Sequence, residues 1–286
     1  MIRRMSSGLD PFAAPPRDLI DLARYRLDDP AGRTELVARC RRDLAASSYV
    51  MLPGFVGADA IRRMAAEAMT AQPRAHRRDD MLTPYGPPSP DDLPADDPRK
   101  IPTPSSMHVL AGDDLDGNGD IARLYGWDGL TRLIANVMDE AELFRVLDPL
   151  FNCNVTILGE GDSHHWHFDS NDFVISLLLQ GAEAGGDFEV APHIRSKDDE
   201  NYAAVAEVLR GGTGRVKTIR VEPGTLMMFC GKYSVHRVSP VKGRRPRLIA
   251  LFSYDRRPDK MFADASAVRV FGRERTAARR VSAMAG

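Results

Sequence analysis

The sequence predicts an α+β fold in which helices pack outside a small β-core. Two patterns along its 286 residues lead to this prediction. Up to about residue 145, apolar residues recur mostly at the three- and four-residue spacing of helices. From Phe151 onward the chain changes to short runs rich in β-formers, which are broken by Gly, Pro and Asp. Strands at this spacing are typical of a barrel or sandwich core.

The N-terminal part contains most of the predicted helices. They cover residues 18 to 46 with a break near Pro30, residues 57 to 72, and residues 119 to 145. A short strand and turn is predicted at residues 49 to 55. Residues 73 to 105 hold nine prolines and many charges. Because a segment this long without regular structure is usually disordered or a functional lid, we expect a lid-like loop there.

The second half is predicted to be mainly strands, interrupted by one helix at about residues 198 to 209. The strands span residues 152–158, 172–180, 186–190, 216–221, 225–230 and 247–254. We expect one domain over residues 1–286. It would consist of a mainly helical part to residue 145, a β-core at 150–255 and a tail at 256–286.

Composition argues against several classes of function. The formal charge of −1 gives no field that would favour nucleic acid or an anionic membrane. The apolar runs are too short to cross a bilayer, and the N-terminus lacks the apolar core of a secretory signal. The three cysteines are widely spaced, which argues against a disulfide framework or a zinc–cysteine site. We therefore expect a cytoplasmic protein; dimerisation through the N-terminal helices is compatible with the sequence.

The most informative pattern is formed by His167, Asp169 and His236. Side chains at i and i+2 of a strand point the same way, so His167 and Asp169 can both face a barrel interior while Phe168 packs on the other side. His236 follows the predicted strand 225–230 and would arrive on a neighbouring strand. Two histidines and one carboxylate, with the opposite face open, suit a non-haem Fe(II) that must bind a co-substrate and O2. A His-x-Asp triplet alone often arises by chance, so its context decides.

The context of the triplet resembles the Fe(II)/2-oxoglutarate-dependent dioxygenases. The triplet follows a Gly-Glu-Gly-Asp turn, Gly185-Gly186 opens the next strand, and His236 precedes arginines that lead into an apolar strand ending at Tyr254. The resemblance covers roughly residues 150 to 255. It implies a double-stranded β-helix core (jelly-roll or cupin-like) flanked by the N-terminal helices, with Fe(II), 2-oxoglutarate and O2 as cofactors. It implies no catalytic residue beyond the iron ligands.

The distal carboxylate of 2-oxoglutarate calls for a planar, charged, bidentate donor, which is arginine chemistry. In the family this arginine starts the strand after the second histidine, and Arg247 fits that layout. Arg245 is the second choice, because a residue before proline is poorly placed inside a ladder. Asn154 and Thr156 share one face of an opposite strand and could hydrogen-bond the same ligand. An ordinary cross-strand hydrogen bond explains these two residues equally well.

A narrower resemblance indicates an amino-acid substrate. The segment His164-His-Trp-His-Phe-Asp-Ser-Asn-Asp-Phe-Val is similar to oxygenases and halogenases that act on free amino acids. In that group a histidine three positions before the first ligand contacts the amino acid, and His164 occupies this position. Ser170 stands where lysine-specific members carry an acid, which implies a related amino acid with a neutral or modified end. Arg99 and Lys100 could bind a substrate carboxylate from the lid-like loop, or could simply be solvated.

Asp169 also bears on the reaction. The related halogenases replace this carboxylate with Gly or Ala and so leave a site for chloride. The resemblance therefore implies hydroxylation, desaturation or oxidative ring closure at an unactivated C–H bond of a small free amino acid or derivative, in specialised metabolism. Two alternatives stay open: a cupin-like metal dioxygenase that does not use 2-oxoglutarate, and a non-catalytic β-helix protein that binds a small molecule.

Overall fold

The computed structural model describes residues 10–169 and 173–275. The helices in these ranges are α1 (Leu22–Tyr25), α2 (Pro30–Ser47), α3 (Ala58–Ala71), α4 (Asp120–Gly126), α5 (Asp128–Val137), α6 (Tyr202–Leu209) and α7 (Asp264–Phe271). The predicted break in the first helical region is present. The Asp29 carboxylate accepts hydrogen bonds from the N–H groups of Ala31 and Gly32, and Pro30 fills the first helical position of α2.

The strands within the described ranges form two antiparallel sheets and one small ribbon. They are β1 (Tyr49–Leu52), β2 (His76–Leu82), β3 (Thr103–Leu110), β4 (Phe144–Arg145), β5 (Cys153–Leu158), β6 (His164–His167), β7 (Phe173–Gln180), β8 (Ala184–Gly185), β9 (Phe188–Ala191), β10 (Lys217–Ile219), β11 (Leu226–Phe229), β12 (Val235–Val238), β13 (Val241–Lys242) and β14 (Arg247–Asp255). The larger sheet has the order β1-β11-β7-β14-β5-β3-β2, with β4 on β14. The smaller sheet has the order β10-β9-β12-β6, and β13 pairs with β8. The predicted α+β class is confirmed.

The two faces of the larger sheet differ because side chains alternate along each strand. On β14, Leu248, Ala250 and Phe252 are fully buried in the core cluster that includes residues of the N-terminal helices. The residues between them, such as Ile249 and Leu251, face the smaller sheet and line a cavity. A slip of one residue in this strand would exchange the two faces, so the apolar pattern fixes the register.

The predicted lid-like loop at residues 73–105 is shorter in the structure. Strands β2 and β3 form an antiparallel pair that runs from His76↔Val109 to Leu82↔Thr103, so the mainly helical part also contains two strands of the sheet. Strand β2 reads His-Arg-Arg-Asp-Asp-Met-Leu and lacks the apolar alternation that indicates a strand. Its charges pair along each face instead, Arg77 with Asp79 and Arg78 with Asp80. Of the predicted loop, residues 73–75 and 83–102 lie outside these two strands.

Two further boundaries differ from expectation. His167 ends β6 and Asp169 lies two residues beyond it, so the two ligands do not share one strand as predicted. The tail beyond residue 255 contains α7, whose Phe271 packs on Phe151 with ring centroids 4.9 Å apart. In the described part of the chain, no helix has the length and apolarity required to cross a membrane.

Candidate active site

Three potential metal ligands meet at the edge of the smaller sheet where β6 pairs with β12. His167 is the last residue of β6 and pairs directly with His236 on β12. Asp169 follows two residues after His167, and its Oδ1 lies 3.8 Å from His167 Nε2 and 3.6 Å from His236 Nε2. The three ligand atoms all lie within 4.8 Å of one another. This spacing allows one ion to bind all three residues.

Backbone carbonyls orient both imidazoles. The Nδ1 of His167 lies 2.8 Å from the carbonyl oxygen of His165, and the Nδ1 of His236 lies 3.0 Å from that of Ser234. Because a carbonyl can only accept, each Nδ1 carries the proton and each Nε2 has a free lone pair. This is the arrangement by which proteins hold metal-binding histidines. The donor set and its orientation therefore fit a divalent metal such as Fe(II).

The charge states also suit metal binding. Burial, together with the neighbouring His236, holds the pKa of His167 well below its usual value, so the imidazole is neutral at neutral pH. Burial disfavours the ionised form of Asp169, but the adjacent His236 and His167 outweigh this effect and lower its pKa. Metal binding requires neutral imidazoles and ionised carboxylates, and the pKa shifts of His167 and Asp169 favour these forms.

Phe168 packs on the side opposite to the ligands, as the strand pattern predicts. Its ring lies beneath the guanidinium of Arg195, with 3.7 Å between the guanidinium carbon and the ring centroid, and 5.4 Å from the ring of Tyr85. The backbone N–H of Phe168 donates to the carbonyl of Pro84 at 3.3 Å. These contacts hold the ligand segment from the side away from the metal position.

A cavity of about 120 Å³ adjoins the three ligands. The larger sheet contributes Thr156, Leu158, Ser176, Met227, Ile249 and Leu251 to its wall. Phe188 and Phe229, from opposite sheets, pack edge to face beside it with ring centroids 5.2 Å apart. The walls are thus mostly apolar, with a few polar groups aimed inward, which is typical of ligand sites.

Among the described residues, Arg247 is the one arginine in this cavity wall. It starts β14 and is only 3% exposed, and its Nη1 has no hydrogen-bond partner among the described residues. Burial lowers its pKa to about 10, with Asp187 opposing, so the side chain stays protonated at neutral pH. A buried charged donor without a partner is costly unless a ligand supplies one. The side chain is therefore suited to bind an anion inside the cavity.

Arg245 is placed differently. Its guanidinium donates to the carbonyls of Gly181 and Ala182 at 2.9 and 3.1 Å, so its donors are already engaged. It lines a separate cavity of about 700 Å³, which Arg247 and Phe188 also touch. Arg245 is not among the residues that line the cavity beside the metal ligands.

Of the two polar residues predicted on β5, one lines the cavity and the other does not. Thr156 is buried and lines the cavity beside the ligands. Asn154 is half-buried and pairs with Leu251 of β14, but it is not part of the cavity wall. Of these two residues, only Thr156 therefore lines the cavity beside the metal ligands.

Of the predicted substrate residues, His164 lies at the site. Its ring stacks on that of His167 with centroids 4.0 Å apart, and burial holds its pKa well below the usual value. Arg99 instead pairs with Asp97, and Lys100 donates to backbone carbonyls of its own loop. Neither loop residue lines the cavity. Ser170 lies outside the described residues.

Arg78 was missed by the sequence reasoning. It pairs with Asp80, its side chain is only 10% exposed, and its Nε has no hydrogen-bond partner in the described chain. Its charge contributes to the lowered pKa values of both His164 and His165, which places it near these two histidines, although it does not line the cavity. The alternation in Arg-Arg-Asp-Asp, with Arg78 and Asp80 on one face, was the signal that could have identified it.

Comparisons with known structures show the fold. The non-haem 2-oxoglutarate-dependent carbocyclase SnoK from nogalamycin biosynthesis is 12% identical, with a TM-score of 0.54 over 79% of this chain and 88% of that chain. AviO1 from Streptomyces viridochromogenes is 18% identical, with a TM-score of 0.53 over 79% and 97%. HygX from Streptomyces hygroscopicus, solved with nickel, 2-oxoglutarate and hygromycin B, is 12% identical, with a TM-score of 0.50 over 76% and 86%. These likenesses confirm the double-stranded β-helix core.

Sequence comparison assigns the family. A search of curated protein sequences finds no match. The family model described as halogenase D matches residues 33–267, a span that holds most of the helices, both sheets and all three ligands. A match over most of the chain agrees with the fold and with a donor set that fits iron. The chain therefore belongs to the halogenase D family and is an Fe(II)- and 2-oxoglutarate-dependent oxygenase.

Proposed function

We propose that this oxygenase oxidises an unactivated C–H bond of a small free amino acid or amino-acid derivative. The products would arise by hydroxylation, desaturation or oxidative ring closure, while 2-oxoglutarate is converted to succinate and CO2. Bound iron would supply the oxidising chemistry with O2. The observation that carries the proposal is the intact Asp169 carboxylate between two histidines, beside a cavity that contains Arg247.

The residues proposed for the iron are His167, Asp169 and His236, and Arg247 is proposed to bind the distal carboxylate of 2-oxoglutarate. The unpartnered Nη1 of Arg247 supports this role, because a carboxylate would complete its hydrogen bonding. Thr156, from the same cavity wall, would donate a hydrogen bond from its hydroxyl to the co-substrate. A dioxygenase that does not use 2-oxoglutarate would leave this buried arginine without a purpose.

Oxidation is favoured over halogenation despite the family's name. A halide would have to bind the metal at the position of the third protein ligand, and here Asp169 fills that position. Its carboxylate is ionised and faces both histidines, so it is ready to bind the metal. The chain would therefore transfer oxygen or remove hydrogen, and would not transfer chloride.

Polar contacts for an amino-acid substrate are available beside the metal ligands. His164 lines the cavity next to His167, and the buried charge of Arg78 lies near His164. We propose that His164 contacts the substrate as a neutral imidazole and that Arg78, with a free Nε, pairs with its carboxylate. Arg99 and Lys100, which are engaged within their own loop, are weaker candidates for that contact.

The metabolic role and the cellular location of the chain are part of the same proposal. SnoK belongs to nogalamycin biosynthesis, and we propose a comparable role in specialised metabolism for this chain. Cys40, Cys153 and Cys230 are all free thiols, which supports a reducing cytoplasm.

The test is a screen of free amino acids with the iron-loaded chain, 2-oxoglutarate and O2, in buffer that contains chloride. We expect one amino acid to accelerate succinate formation and to yield a product with one more oxygen or two fewer hydrogens. A chlorinated product would contradict the proposal, and so would a screen in which no amino acid accelerates succinate release.

Variants locate the substrate contact. His164→Ala and Arg78→Gln should raise the KM for the amino acid while leaving the KM for 2-oxoglutarate close to that of the wild type. Lys100→Ala is the matched control, and we expect no change in either constant. A raised KM in the control alone would move the substrate carboxylate to the loop.

A further inference from the structure

Gly231 lies directly against the Asp169 carboxylate. The carbonyl oxygen of Gly231 accepts a hydrogen bond from the backbone N–H of Asp169 at 3.2 Å. A Cβ built on Gly231 would lie 1.8 Å from Asp169 Oδ2 and 2.5 Å from its Cγ. The carboxylate thus occupies the space that any side chain at position 231 would need.

The requirement for glycine here concerns space and not backbone conformation. Gly231 is not among the glycines with positive φ, such as Gly224 and Gly243, so its backbone is open to other residues. The conflict with the carboxylate is therefore the reason for a glycine at this position.

The atoms around Gly231 cannot move aside without disturbing the ligands. The same Cβ would lie 2.9 Å from Phe229 Cε1, and the ring of Phe229 packs edge-on against the imidazole of His236 at 4.6 Å. Moving this ring would therefore shift the second histidine. The remaining way to relieve the conflict is to displace the carboxylate of Asp169.

The two chain segments are also fastened together from outside. Arg195 donates from its Nε to the carbonyl of Lys232, which follows Gly231, at 2.7 Å. The same guanidinium stacks on Phe168, which precedes Asp169. The Arg195 side chain thus contacts both the segment at Gly231 and the segment at Asp169. It opposes their separation and so keeps the hydrogen bond between them.

We propose that Gly231 is a positioning residue for the metal site, which reserves the volume that the third ligand occupies. This inference rests on the iron site of the proposed function. It implies that residues 169 and 231 compete for one volume, so a methyl group at 231 is harmful beside an aspartate at 169. Beside a glycine at 169, the vacated volume lets residue 231 shift away from the Phe229 ring, and the methyl group is tolerated.

The test is a double-mutant cycle read by Co(II) affinity and the Co(II) absorption spectrum of the apoprotein, without turnover. Gly231→Ala should weaken Co(II) binding by at least roughly tenfold, approaching the loss caused by Asp169→Gly, and should change the spectrum. Adding Gly231→Ala to Asp169→Gly should change the affinity by less than about threefold.

Gly119→Ala is the matched control. A Cβ there would also meet a carboxylate, that of Glu67, at 2.6 Å, but away from the metal ligands. We expect Co(II) affinity equal to that of the wild type. An unchanged affinity in Gly231→Ala, or an equal loss in both backgrounds, would overturn the proposal.

Two further results would bear on folding and on the metal site itself. If Gly231→Ala alone does not fold, recovery of cooperative unfolding in the double variant supports the same competition, and no recovery overturns it. If Asp169→Gly binds Co(II) as tightly as the wild type, then the metal site itself is wrong, which distinguishes failure of the proposed function from failure of the role of Gly231.

Discussion

Replacing Arg247 tests how the chain holds 2-oxoglutarate. In the structure this guanidinium is 3% exposed and lacks a partner for Nη1 in the described residues. Arg247→Met removes a bidentate contact made of two charge-assisted hydrogen bonds, each worth about 1.5–3 kcal/mol. We expect a loss of about 3–5 kcal/mol, which is a hundred- to several-thousand-fold fall in affinity. Arg247→Lys keeps the charge but not the bidentate geometry, so its affinity for 2-oxoglutarate should lie between those of the wild type and Arg247→Met.

The assay is an anaerobic titration of the metal-loaded protein with 2-oxoglutarate, by calorimetry, so that chemistry does not intervene. Arg245→Met is the matched control, since this residue bonds backbone carbonyls outside the cavity, and its affinity should stay within about threefold of the wild type. If Arg245→Met loses affinity and Arg247→Met does not, the assignment is refuted.

The apoprotein gives an independent check on the same residue. A buried charge without a partner costs stability, so Arg247→Met should unfold at an equal or higher denaturant concentration than the wild type when no ligand is present. A variant that is both less stable and weaker in binding would indicate a structural role for Arg247 instead.

Two further predictions concern stability. Burial lowers the pKa of three neighbouring histidines, to about 4 for His165 and well below the usual value for His164 and His167. Because the unfolded chain takes up these protons first, the free energy of unfolding should fall below about pH 6.5, by up to about 1.4 kcal/mol per pH unit for each histidine. Urea unfolding of the apoprotein at neutral and mildly acidic pH measures this, and equal stabilities would contradict neutral buried imidazoles. Separately, Arg275→Met leaves the fully buried Asp148 without its ion-pair partner and should cost about 3–5 kcal/mol in chemical denaturation. The exposed pair Arg210–Asp96 supplies the control: Arg210→Met should cost less than about 1 kcal/mol, and similar losses in both variants would refute the argument.

The sequence predicted those parts of the fold in which burial imposes a repeating pattern. Strands β5, β11 and β14 alternate between a core face and a cavity face, and they were predicted within a few residues of their observed bounds. Strand β2 was missed because it consists mainly of charged residues and lacks an apolar alternation. Its pairing with β3 stabilises it. A short strand made of His164-His-Trp-His likewise has no typical strand composition, so β6 was not separated from its neighbour.

The site shows the same division. The ligand set was accessible because His167, Asp169 and His236 are unusual residues at a spacing that metal chemistry requires, and the structure brings their ligand atoms together. Arg78 could not be placed while its strand was missing. Gly231 carries no signal in the sequence, because its role depends on the three-dimensional approach of Asp169.

The central claim is that His167, Asp169 and His236 would hold an iron to which 2-oxoglutarate binds, and one titration tests it most directly. Fe(II) is added anaerobically to the apoprotein with 2-oxoglutarate, and the visible absorption of the iron–oxoacid complex is recorded. We expect one such complex per chain in the wild type, and no absorption from it in His167→Ala or in His236→Ala. A wild-type chain that develops no such absorption, or a complex that survives removal of either histidine, would contradict it.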